Sequence, residues 1–126
     1  MTLECTVVGV SVEDNDSYTR VALEFDSHPG YLLIERSKDP STTDRRLGMD
    51  RTYIEIGDQL HGSYGAVTDV RAKDQRLEIA FKPEQLQTTF SELGLLSGDG
   101  TKPQFSAAVE AIIKLIELDG IDASRA

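Results

Sequence analysis

The 126 residues fit a single domain over 1–126, and 39% apolar content is enough for an ordinary core. Thirteen Lys and Arg against 22 Asp and Glu leave a formal charge of −9. That balance argues against direct binding to nucleic acid or to an anionic membrane, and it favours a basic protein partner.

No apolar run approaches the ~18 residues of a membrane span. The N-terminus lacks the basic segment and long apolar stretch of a secretory signal, so the expected compartment is the cytoplasm. The single cysteine, Cys5, excludes an intrachain disulfide framework and a cysteine-built zinc site.

Glu4 to Glu13 is rich in Val and Thr and reads as a strand, turned by Asp14, Asn15, Asp16 and Ser17. Arg20 to Phe25 alternates with period two, which puts Val21, Leu23 and Phe25 on one buried face. The turn Ser27–Gly30 leads into Tyr31–Arg36, apolar on both faces and expected to lie centrally in its sheet. Ser37 to Asp50 carries almost nothing apolar and reads as a long solvated loop. Thr52 to Ile56 alternates again, with Thr52, Ile54 and Ile56 opposite Tyr53 and Glu55. Gly57 and Asp58 break that strand. Tyr64–Ala72 begins the next, and Lys73, Asp74 and Gln75 turn it into Arg76–Phe81.

After Pro83 the period changes. Leu86, Phe90 and Leu93 stand four and three apart, which predicts a short helix opened by Pro83 and closed by Gly94. Leu95 to Thr101 then reads as a flexible link. Phe105, Val109, Ile112 and Ile116 mark a second amphipathic helix to about Leu118, ending near Gly120. The expected fold is α+β: an antiparallel sheet of about six strands in a meander, with two C-terminal helices packed on one face.

Catalytic and cofactor motifs are missing from the sequence. His28 and His61 sit in different turns, without a second ligand at helical spacing. There is no nucleophile elbow, phosphate loop or dinucleotide fingerprint, so no cofactor and no metal is expected. Asp58, His61 and Tyr64 could form a general base with neighbours, which keeps a small enzyme or ligand-binding domain as a weaker alternative. Cys5, in a strand and without a basic neighbour, reads as a core residue.

The densest polar stretch is Gly48 to Gly65, GMDRTYIEIGDQLHGSYG. Its glycines suit turns that need positive φ, and Tyr53 and Tyr64 suit a core margin or a protein-binding surface. The order Tyr31–Arg36, Leu47-Gly48-Met49-Asp50, Tyr53-Ile54-Glu55-Ile56, Asp58-Gln59 and Tyr64-Gly65 resembles the immunity protein 10 family of bacterial polymorphic toxin systems. The resemblance runs from about Val7 to Phe81 and is densest between Tyr31 and Val67. The C-terminal part departs from it, with a longer final helix and a less regular linker.

The resemblance implies a small cytoplasmic protein, not an enzyme, that binds and neutralises a cognate toxin domain by occlusion. It supplies no catalytic residues. Acidity and size also suit a secretion-chaperone-like or structural interaction protein. Candidate partner-binding residues are Asp50, Tyr53, Glu55, Asp58 and Tyr64, with Asp39 and Asp44 from the preceding loop. Tyr53 and Glu55 are expected to point away from the Ile54/Ile56 face, free to meet a basic toxin.

Overall fold

The computed structural model describes residues 2–125, the last by its backbone alone. Nine strands form one sheet: β1 (Thr2–Asp14), β2 (Tyr18–Phe25), β3 (Tyr31–Ser37), β4 (Tyr53–Ile56), β5 (Gly62–Tyr64), β6 (Val67–Lys73), β7 (Arg76–Phe81), β8 (Glu92–Ser97) and β9 (Ser124–Arg125). Their spatial order is β5-β4-β3-β2-β1-β8-β7-β6-β9. Helices α1 (Thr42–Arg46), α2 (Pro83–Leu86) and α3 (Lys102–Leu118) complete the fold. The α+β class holds and β1 to β5 run as an antiparallel meander, but the whole sheet is not one meander, and the expected strand number and helix pair do not hold.

The sheet is two antiparallel ribbons, β1 to β5 and β6 to β8, joined where β1 runs parallel to β8. Strand β1 is long enough to serve both. Thr2 to Val7 pairs with β8, Val7 to Asp14 pairs with β2, and a register irregularity between Val7 and Gly9 marks the exchange.

The expected helix from Pro83 stops after one turn. Gln87 takes a left-handed conformation at φ 56° and ends it. Leu93 and Leu95 then lie in β8 with their side chains wholly buried, so the segment expected to be helix end and flexible link is a strand in the middle of the sheet. Leu86, Phe90 and Leu93 satisfy a helical spacing, yet burial between β1 and β7 rewards the period-two pattern instead. Gly94 is no helix cap. The Arg76 guanidinium arches across it to reach Glu4 with two hydrogen bonds of 2.8 and 2.6 Å, and a Cβ at Gly94 would stand 3.0 Å from Glu4 Oε2.

Helix α3 follows its periodicity. Phe105, Ala108, Val109, Ile112, Ile113, Leu115 and Ile116 are buried against one face of the sheet, over β1, β2, β3 and β6. Below them lie Val21, Leu23, Leu32, Ile34, Ile54, Leu77, Ile79, Leu93 and Leu95, all but sealed from solvent. Each such side chain contributes roughly 1.5–3 kcal/mol relative to exposure.

A polar clamp fastens the end of α3. The Asp119 side chain, 1% exposed, pairs with Arg36 of β3 and accepts the Thr52 backbone N–H at 3.2 Å. Thr52 Oγ1 donates in turn to the Leu115 carbonyl at 3.2 Å. Because the buried carboxylate meets a half-buried guanidinium and a backbone donor, α3 cannot slide without stranding Asp119.

The Ser37–Asp50 loop is not structureless. Ser41 and Asp44 form a reciprocal capping box, each side chain accepting the other's backbone N–H at 3.0 Å, and this starts α1. The chain from α1 to Met49 borders the face of the sheet opposite α3.

Candidate functional site: an uncovered tyrosine face

With Val21, Leu23, Leu32, Ile34, Ile54 and Ile56 turned toward α3, alternation sends their neighbours to the other side of β2, β3 and β4. That side carries Tyr18, Arg20, Ala22 and Glu24 from β2, Tyr31, Leu33 and Glu35 from β3, and Tyr53 and Glu55 from β4. Tyr64 of β5 joins them by pairing opposite Tyr53. All four tyrosines of the chain therefore share one sheet face, and α3 lies on the other.

The tyrosines are held, not loose. Tyr53 and Tyr64 pack with ring centroids 5.1 Å apart at 53°. Gly62 makes room for them: a Cβ there would stand 2.8 Å from Tyr53 Cζ, so the ring lies across β5 where a side chain would otherwise be. Gly62 is extended, at φ −131°, and its role is steric, unlike Gly57 and Gly65 with φ of 72° and 68°. Tyr18 donates to Glu13 at 2.9 Å and takes the Arg20 guanidinium over its ring at 4.6 Å.

Glu55 organises the centre. It is 7% exposed and accepts the Tyr53 hydroxyl at 2.6 Å and the Tyr31 hydroxyl as well. The hydrogen bond to Glu55, followed by burial, pushes the Tyr31 phenol up to about 12; burial and then the same carboxylate push Tyr53 up further. Glu55 does leave the Ile54/Ile56 face as expected, but the rings close over it. It is a positioning group beneath the surface and not an exposed acid free to meet a partner.

The other expected site residues separate. Asp44, Tyr53 and Tyr64 come together at one cleft with Tyr18 and Glu35. Asp50 lines a different cleft with Arg36, Arg45 and Leu115, on the α3 side. Asp39 is exposed in the loop before α1. Asp58 caps the 3-10 turn Gln59–His61, accepting the Leu60 N–H at 2.9 Å. His61 Nδ1 lies 3.0 Å from the Leu86 carbonyl, while Tyr64 packs on Tyr53. Asp58, His61 and Tyr64 thus bond elsewhere, and the general-base grouping is not assembled.

Both histidines, with Asp58 and Phe90, line a third cleft of about 340 Å³, but the described residues hold no cluster of three metal-ligating side chains. Among the described residues, no helix is long and apolar enough to cross a membrane.

Sequence reasoning missed Tyr18, Leu33 and Glu35. The signal was present: continuing the alternation of Val21, Leu23 and Phe25 back by one step places Tyr18 beside Arg20 on the outward face.

Residues 4–93 match the family model described as Immunity protein 10. The chain belongs to that family. The matched span holds β1 to the start of β8 and with them every tyrosine of the uncovered face; α3 lies beyond it. No curated protein and no solved structure matches the chain. Membership in the Immunity protein 10 family implies an immunity role and a protein toxin as partner.

Proposed function

We propose that this Immunity protein 10 family member binds a cognate polymorphic toxin domain in the cytoplasm and neutralises it by non-covalent occlusion. The observation that carries the reading is the gathering of all four tyrosines on the sheet face that α3 leaves uncovered. Tyrosines offer large, rigid contact area at low entropic cost, and here Glu55, the Tyr53/Tyr64 contact and the Tyr18–Glu13 hydrogen bond hold them in place before any partner arrives. Occlusion needs no catalytic group, only a complementary surface.

Tyr53, Tyr64 and Asp44 form the contact core in this reading. Asp39 and Asp58 are rim acids that steer a basic toxin, Asp50 on the α3 side adds to that long-range field, and Glu55 supports the core from below. The net charge of −9 makes encounter with a basic domain faster and salt-sensitive. The direct test is co-expression of a cognate toxin domain, sought in the reading frames beside this one, with and without this chain. Survival that depends on this chain is expected; survival that does not would end the proposal.

A further inference from the structure

At the margin of the tyrosine face, Tyr18, Glu35, Asp44, Met49, Tyr53 and Tyr64 line a cleft of about 340 Å³. Its remaining lining is serine. Arg20, beside the cleft, already lies over Tyr18 and bonds Glu35, which leaves Asp44 and the Tyr53/Tyr64 rings without a cation. Two acceptors stand open. Asp44 uses Oδ2 to accept the Ser41 N–H, and its Oδ1 makes no hydrogen bond among the described residues. The Tyr64 hydroxyl likewise makes none, whereas those of Tyr18, Tyr31 and Tyr53 are all engaged. Burial first, then the charges of Glu35 and Asp44, raise the Tyr64 pKa, so both carboxylates act on the same hydroxyl.

That combination selects a ligand class. An anion would face two carboxylates, and an apolar side chain would desolvate them without a partner. A planar cation gains from both features, by stacking on the rings and donating to the acids. The neighbouring Arg20 shows the same chemistry within the chain, with its guanidinium over Tyr18 and 3.0 Å from Glu35. An ammonium would satisfy the charge but not the flat faces.

We infer that the cleft receives a single arginine side chain from the toxin, its guanidinium lying against the Tyr53/Tyr64 pair and donating to Asp44. This rests on the immunity reading, and it turns a general acidic surface into one anchoring contact.

The test is a set of double-mutant cycles on the complex of the full chain with its cognate toxin domain. Asp44→Asn and Tyr64→Ala are combined in turn with Arg→Ala and Lys→Ala changes on the toxin, with Glu117→Gln on the solvent side of α3 as a control. One toxin arginine is expected to lose about tenfold or more in Kd, and the loss should largely vanish in the Asp44→Asn chain. Replacing that arginine by lysine should not restore binding. If the wild-type chain binds and protects while both cleft variants keep its Kd, or if the coupled residue is a lysine, the arginine seat is wrong and the immunity reading stands. If the wild-type chain neither binds nor protects, both fall.

Discussion

Tyr53 and Glu55, two residues apart on β4, point to the same side of the sheet, and the phenol donates to the carboxylate at 2.6 Å. Tyr31, from the adjacent strand, donates to the same carboxylate. One buried acid thus fixes two rings of the proposed contact face. Glu55→Ala strands both hydroxyls and should cost about 2 kcal/mol, read as a lower urea midpoint. Glu55→Gln, which keeps an acceptor, should cost less.

The same contact sets an alkaline limit. Tyr31 is raised in the fold from an ordinary value of 10.0 to about 12, so the fold favours the neutral phenol. The stabilisation is complete below pH about 10, where both folded and unfolded phenols are neutral, and is lost as pH rises toward 12. In Glu55→Gln, phenolate absorbance should show Tyr31 ionising at lower pH than in the parent. An unmoved titration would mean that Glu55 is not what holds the proton.

Gly62→Ala tests the seat of Tyr53. The new Cβ would stand 2.8 Å from Tyr53 Cζ, so the ring must move off β5. A stability loss of roughly 1–3 kcal/mol is expected, with a changed aromatic circular dichroism signal. An unaltered signal and midpoint would contradict the ring placement.

The sheet's centre offers a separate check. Leu95 is fully buried in β8, in the segment whose sequence reads as a link. Leu95→Ala should cost about 2–5 kcal/mol, as core truncations do, whereas a true link residue would lose almost nothing.

What the sequence showed and what it hid divide along local and distant information. Alternation in Arg20–Phe25, Thr52–Ile56 and Arg76–Phe81 is a local signal, and the corresponding strands and their buried faces are where it puts them. The α3 stripe is equally local. Strand β8 was hidden because its pattern fits a helix over a short window, and the partners that decide it, β1 and β7, come from elsewhere in the chain. Arg36 and Asp119 meet across 83 positions, beyond any spacing rule.

The site divides the same way. Tyr53 and Tyr64 were visible as polar aromatics in one glycine-rich stretch, and they do pack together. Their neighbours Tyr18 and Glu35 needed strand pairing to be seen. The burial of Glu55 needed Tyr31, which lies 24 positions away.

The clamp under α3 has its own prediction. Asp119→Ala removes the charge partner of the half-buried Arg36, which keeps only Thr52 Oγ1 at 3.3 Å, and should cost about 2 kcal/mol, while Asp119→Asn, which can still accept the Thr52 N–H, should cost less. Urea denaturation of the two variants distinguishes them. Equal losses would mean that charge pairing adds nothing to the clamp.

The most direct measurement is the Kd of the toxin complex for the chain carrying Tyr18→Ala and Tyr64→Ala together, after its fold has been verified. Both side chains reach the uncovered face, and Tyr64 is 38% exposed. If that face is the interface, Kd should rise at least roughly 30-fold, as loss of about 2 kcal/mol at a contact core requires, while Glu117→Gln on the solvent side of α3 stays at the parent value. A correctly folded double variant that binds as tightly as the parent would contradict it and place the toxin on another surface.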